Sequence, residues 1–303
     1  MTNSRVVVLA GGDGTRLRSL TRALYGTDLP KQFAVLTGHL SLVQATVERA
    51  LQITTPDRIS VVVTTAHEPY ARAQLASYGV ELLVQPRNLD TVSGILLPMV
   101  RLVARSPEDH VIVFPADHHL PTPQPLLDAL AHASPDEVSL VGVRPTAPET
   151  DYGWIVPGEE LANRHLRIAE FREKPDEATA RQLLARGGLW NTFILTGPVW
   201  RFWDLARQHV PNHADAFEAY ALALGSPAEA VALRSVYRIV TPASFSTHVL
   251  SVADSLLAIP VEGTGWSDWG TPARVFASLA GTPDQRRLVE RICQPTARYS
   301  VSL

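Results

Sequence analysis

The sequence predicts an α/β fold: a doubly wound, mainly parallel sheet with helices on both faces. Three observations carry this. Short apolar, β-branched runs alternate with stretches of helical period up to about residue 143. The first such run ends in a glycine-rich turn, Gly11-Gly12-Asp13-Gly14, as strands do at ligand sites in open α/β sheets. The composition, 46% hydrophobic and 19% charged over 303 residues, is that of an ordinary globular protein.

In chain order, strands are predicted over 6–9, 59–64, 81–84, 110–114 and 138–143. Helices are predicted over 41–51, 67–78, 91–104 and 124–132, with Pro98 kinking the third or shifting its start. Near residue 145 prolines and glycines break the rhythm. Strands are then expected over 154–156, 166–171, 191–195 and 256–261. Helices are expected over 177–186, 198–208, 214–224, 227–236, 272–279 and 283–292. The division is one large domain over 1–275 and a short helical tail over 276–303. Within the domain, a first half (1–145) adjoins a second half (146–275) inserted on the same sheet. No substantial further domain, such as a left-handed β-helix, is expected.

Net charge is −3, so no global basic field invites nucleic acid, and a phosphate ligand must be held by local charge. Cys293 is the only cysteine, which excludes an intramolecular disulfide and fits a reducing compartment. No apolar run reaches membrane-spanning length, and the run at 6–10 is too short for a secretory signal. A cytoplasmic location is expected, with no membrane partner.

The chemistry-bearing residues cluster after strand ends. Glycines let backbone N–H groups approach an anion, and Arg16 and Lys31 add full positive charge, so the first loop is suited to a polyphosphate. No Gly-Lys-Ser/Thr follows, which excludes a Walker A loop, and Leu17 occupies the third glycine position of a dinucleotide fingerprint. Asp117, in FPADHHL, follows a strand and is placed to hold Mg²⁺; the alternative is an ordinary turn aspartate. His118 and His119 suggest zinc, but neighbouring histidines point apart and no further ligand has metal spacing. Asp268 lies in GWSDWG, where glycines admit a ligand and tryptophans exclude water; the alternative is an aromatic turn. Lys174, in FREKPD, is a point charge on a turn pinned by Pro175. Asn191 beside Trp190 can hydrogen-bond a sugar while the indole packs on it.

LAGGDGTRL followed by PKQF resembles the sugar-1-phosphate nucleotidyltransferases, and within them the mannose-1-phosphate guanylyltransferases. Six ordered motifs over about residues 5–275 carry the resemblance. It implies a Rossmann-like sheet of the nucleotide-diphospho-sugar transferase type with an inserted sugar-binding lobe. It implies nucleotide contacts at Leu9, Ala10, Gly11, Gly12, Gly14, Thr15 and Arg16, and Mg²⁺ held between Asp117 and Asp268. Gly153, Glu173, Lys174 and Asn191 would take the sugar phosphate. Gln85 and Asn88 are the candidates for the base. The substrates implied are an NTP, GTP, and a sugar-1-phosphate, mannose-1-phosphate; a homodimer is a candidate assembly. The catalytic set is Arg16, Lys31, Asp117, Lys174 and Asp268, with Arg16 and Lys31 expected to neutralise the departing pyrophosphate.

The chain departs from the family pattern at three places. Gln85 replaces Glu, with Leu89 and Asp90 inserted after Asn88. Thr192 and Phe193 replace Ser-Gly, which bears on the sugar. Trp269 and Thr271 alter the stretch behind the metal. Three alternatives stay open: the same transfer on another hexose, heptose or cyclitol phosphate or with another NTP, a silent nucleotide-sugar sensor, and a metal-dependent glycosyltransferase. The sensor would lose Arg16, Lys31 or an aspartate, and none is lost. The glycosyltransferase would show Asp-x-Asp where this chain has Pro-Ala-Asp-His-His.

Overall fold

The computed structural model describes residues 4–161 and 165–293. Four strands, β1 (Arg5–Leu9), β2 (Ile59–Thr64), β3 (Glu81–Gln85) and β4 (His110–Pro115), form the first half. Four helices join them: α1 (Arg18–Tyr25), α2 (Leu42–Leu51), α3 (Glu68–Leu75) and α4 (Asp90–Val103). α5 (Gln124–Leu130) leads into β5 (Ser139–Val143). Then come β6 (Gly153–Glu160), β7 (Leu166–Glu173), α6 (Glu177–Ala185) and β8 (Leu189–Pro198). Helices α7 (Val199–His209), α8 (Pro211–Ala221) and α9 (Glu229–Ile239) precede β9 (Leu257–Val261). α10 (Pro272–Ser278) and α11 (Pro283–Cys293) follow. The rest of the expected tail, 294–303, lies outside the described residues.

One nine-stranded sheet carries both halves, in the order β3-β2-β1-β4-β8-β5-β9-β7-β6. β1 to β4 pair in parallel, as the alternation predicts. The second half turns the sheet mixed: β7 and β8 run against the others. Too few residues separate β6 from β7 for a crossover helix, so the two pair antiparallel.

β1 explains why the sheet needs helices on both faces. Val6 and Val8 point to one face, with Val61, Val63, Ile112 and Phe114. Val7 points to the other, with Val62, Val111, Val113 and the aromatics of α7 and α8. All are buried, which accounts for the continuous apolar runs. The chain leaves β1 towards β2 and β3, then returns through α4 to β4 on the opposite side of β1. That reversal opens a crevice beyond the carboxyl ends of β1 and β4.

Three local features bear on or add to the expectations. Pro98 lies inside α4, whose start it does not shift. The helix is buried from Val92 to Val100, and this packing outweighs the ~3 kcal/mol a mid-helix proline costs. α1 was not expected; Leu20 and Leu24 bury one side of it, and Gly26, at φ 72°, closes it. A π-helical turn, Ser246–Leu250, precedes β9.

Candidate active site

A cavity of about 870 Å³ fills the crevice and takes residues from both halves. The loop after β1 forms its floor. Gln32 donates from Nε2 to the carbonyls of Ala10 and Gly12, at 2.8 Å each, and so holds the loop open. Among the described residues, no acceptor meets the N–H groups of Gly11, Gly12, Asp13 or Gly14. Four consecutive free donors beside a cavity suit a phosphate chain. Gly14 sits at φ 57°, and a Cβ there would come within 2.8 Å of the Lys31 main-chain nitrogen. Leu9, Ala10, Thr15 and Arg16 also line the cavity.

Asp117 follows β4, with its side chain 40% exposed to the cavity. Lys31 Nζ lies 3.1 Å from Asp117 Oδ2 and also donates to the main-chain carbonyl of Asp268. The Lys31 side chain is only 5% exposed and stands behind the cavity lining. Its ammonium is taken up by the two aspartates, so the structure does not place it in the open position expected for a direct pyrophosphate contact. Burial opposes ionisation of Asp117, but Lys31 and His118 outweigh it and hold the carboxyl below the ordinary range. His118 Nδ1 accepts from the Trp266 indole at 3.2 Å, so its proton is on Nε2, 3.8 Å from Asp117 Oδ1.

Asp268 faces the same cavity from the loop after β9. Its Oδ1 accepts from the Tyr152 hydroxyl at 2.8 Å and from the Gly270 N–H at 2.9 Å. Arg274 and Arg16 approach Oδ2 at 3.3 and 3.8 Å. Gly270 has to be glycine, because a Cβ would collide with Asp268 Oδ2 and reach within 2.9 Å of Arg274. Trp269 is fully buried; it stacks on His119 at 4.0 Å and donates to Ser278 at 2.6 Å. Burial pushes the His119 imidazole down to about 4, so it stacks as a neutral ring. Thr271 caps α10 by accepting from the Arg274 N–H.

Asp117 and Asp268 fit Mg²⁺, a hard cation that takes one or two carboxylates and completes its shell with phosphate oxygens and water. Among the described residues, no group of three or more His, Cys, Asp and Glu forms a protein-only metal cage.

The wall expected to take the sugar phosphate comes from β6, β7 and β8. Lys174 follows β7 directly, at φ 43° with its side chain 62% exposed, its ammonium 3.8 Å from Glu173. Burial pushes the Glu173 carboxyl up, against the pull of Lys174. A Cβ on Gly153 would come within 2.8 Å of Glu173 Oε2 and 3.3 Å of the Asn191 side chain, so both side chains pack directly against the bare Gly153 backbone. Asn191 Oδ1 accepts from the Phe193 N–H at 3.1 Å and holds Phe193 at φ 55°. Ser244, Ser246 and Thr247 line the same side.

Gln85, expected at the base, ends β3 and lines the cavity. Asn88 also lines it, but its amide is already engaged: Oδ1 accepts from the Asp90 N–H, and Nδ2 donates to Asp13 in the loop after β1. Every site residue expected from the sequence therefore lines this one cavity, except Lys31.

The family model described as nucleotidyl transferase matches residues 5–282. The chain belongs to the nucleotidyl transferase family. It is 31% identical over 278 residues to the alginate biosynthesis protein AlgA of Pseudomonas putida, covering 87% of this chain and 56% of that one. It is 27% identical over 293 residues to mannose-1-phosphate guanylyltransferase of Escherichia coli, covering 92% and 60%. The chain spans about half the length of the curated relatives it matches. A crystal structure from Thermus thermophilus, described as a mannose-1-phosphate geranyltransferase, superposes with a TM-score of 0.80 at 28% identity, over 93% of this chain and 81% of that one.

This member of the nucleotidyl transferase family holds several site residues that the sequence did not single out. Arg274 pairs with Glu149, Asp151 and Asp268, and its guanidinium lies 4.6 Å over the Tyr152 ring. Asp151 and Tyr152 stand directly before Gly153, and the Tyr152 hydroxyl donates to Asp268. Gln32, in PKQF, has a physical role in its two bonds to the loop after β1. The four non-glycine residues with positive φ among the described residues are Asp90, Lys174, Phe193 and Trp269. Three line the cavity and the fourth follows Asp268, so local strain is concentrated at this site.

No described helix is long and apolar enough to cross a membrane.

Proposed function

We propose that the chain transfers a nucleotidyl group from GTP to mannose-1-phosphate, giving GDP-mannose and pyrophosphate. One observation carries the reading: a single cavity gathers an open loop of free N–H donors, two aspartates and the exposed Lys174. The name of the Escherichia coli relative supports the choice of nucleotide and sugar.

The attacking group is an oxygen of the sugar phosphate, already anionic, so no side-chain base is needed. The chain's work is positioning and charge neutralisation around the α-phosphorus. Lys174 holds the incoming phosphate and Glu173 accepts from sugar hydroxyls. Arg16, with its side chain 54% exposed, meets the departing pyrophosphate together with the loop donors at 11–14. Lys31 sets the position and charge of Asp117. Asp117 and Asp268 would hold Mg²⁺, which when bound supplies charge neutralisation at the phosphate oxygens. Tyr152, Gly270 and Arg274 fix the carboxylate of Asp268.

A second reading keeps the reaction and changes the sugar to another hexose, heptose or cyclitol phosphate. Phe193, lining the cavity in a left-handed conformation, favours it. A grid of NTPs against sugar-1-phosphates, with Mg²⁺ and pyrophosphate release as the readout, tests both. Turnover with GTP and mannose-1-phosphate above all other pairs supports the first reading, and a different best sugar supports the second. If no pair turns over, nucleotidyl transfer is excluded.

A further inference from the structure

Gln85 is 3% exposed, yet its amide nitrogen makes no hydrogen bond among the described residues. That nitrogen sits beside two cavity-lining glycines: a Cβ on Gly11 would come within 2.9 Å of it, and one on Gly94 within 4.0 Å. The amide oxygen accepts from the Tyr237 hydroxyl at 2.7 Å, in a buried bond. Tyr237 is 1% exposed, and burial raises its phenol so that it keeps its proton. Among the described residues, Gln85 Oε1 is the acceptor that this proton has. Turning the amide over would strand a buried O–H, which folded proteins avoid. The main-chain carbonyl of Tyr237 is clamped in turn by Arg87, at 3.0 and 2.6 Å, so α9 cannot drift from the end of β3.

We infer that Tyr237 is a positioning residue for nucleotide selection, holding Gln85 so that an N–H donor, and not a carbonyl, faces the base. The base has to offer an acceptor at that point. Gly11 and Gly94 keep the surface beside the donor free of side chains, so a flat ring can lie close to it. The inference rests on the nucleotidyl transfer reading for its ligand class, a nucleoside triphosphate.

Calorimetric titration with GTP, UTP, ATP and CTP, one at a time and without sugar phosphate, reads selectivity independently of turnover. The wild type is expected to separate the best from the worst nucleotide by about tenfold or more. Tyr237→Phe is expected to shrink that spread to about threefold or less, weakening the preferred nucleotide most. Gln85→Glu keeps the phenol bond but turns an acceptor to the base, so the order of preference is expected to change. It also decides the matter if Tyr237→Phe fails to fold. Equal weakening of all four nucleotides in the variants overturns the inference, as does equal binding of all four by the wild type. A wild type that binds selectively but releases no pyrophosphate with any sugar phosphate removes the transfer reading and leaves this one standing.

Discussion

Arg274 reaches Asp268 from the rim of the cavity, with its Nη1 3.3 Å from Oδ2. The same guanidinium meets Glu149 at 2.8 Å and Asp151 at 3.1 Å, and its side chain is 18% exposed. One cation therefore holds three carboxylates that would otherwise repel one another beside an anionic substrate. Removing it is expected to cost about 1–3 kcal/mol, the range for hydrogen bonds to charged groups. Arg274→Ala should lower the melting temperature by several degrees and turnover about tenfold or more. Arg274→Lys should recover only part of the turnover, because an ammonium lacks the planar fork that spans several carboxylates. Thermal melts and steady-state kinetics of both variants check this; full recovery by Lys would contradict the clamp.

Asp117→Asn removes a charge without removing volume. Turnover is expected to fall by about 10²–10³, the size of losing one transition-state electrostatic contact, with the fold retained. The pH dependence has a definite sign. The Asp117 carboxyl is held below its ordinary value in the folded protein. The stability it contributes is therefore fully present above about pH 4, the unfolded value, and is lost as the pH falls through the folded value. The melting-temperature gap between wild type and Asp117→Asn should be larger at pH 7 than at about pH 3. A gap that widens on acidification would mean that Lys31 does not stabilise this carboxylate.

Lys174 offers the opposite case, since its ammonium is mostly in solvent. Lys174→Ala should leave the melting temperature within about a degree, because exposed pairs contribute little. It should raise KM for the sugar phosphate about tenfold or more and also lower kcat. A change confined to KM for the nucleotide would move Lys174 to the other subsite.

Phe193 combines a left-handed backbone with a large side chain at the cavity wall. That conformation costs about 1–2 kcal/mol for a residue with a Cβ. Phe193→Gly removes both the strain and the ring. Its melting temperature should therefore fall less than the loss of a large apolar side chain alone would cause. The range of sugar-1-phosphates accepted should widen, read as kcat/KM across a panel. An unchanged panel would take Phe193 out of sugar selection.

Much of this site was legible because its residues lie in short motifs at or after strand ends. Gly11, Asp117 and Lys174 closely follow a strand, Asn191 stands near the start of β8 and Asp268 lies in the loop after β9, and the topology brings them to one cavity. Their partners were not legible. Arg274 lies in the first turn of α10, Tyr237 near the end of α9, and Gln32 in a single 3₁₀ turn. Each acts on a residue that is near in space but whose pairing no spacing announces. Lys31 was legible as a cation but not as one already paired with Asp117. The mixed half of the sheet escaped for a related reason: periodicity reports which residues are buried, not which strands are neighbours.

The most direct measurement is ³¹P NMR of the products formed from GTP and mannose-1-phosphate with Mg²⁺. Attack on the α-phosphorus predicts pyrophosphate and a two-phosphate nucleotide sugar in equal amounts, with no orthophosphate. Orthophosphate as the main product, or free nucleotide with no nucleotide sugar, would contradict nucleotidyl transfer at this cavity.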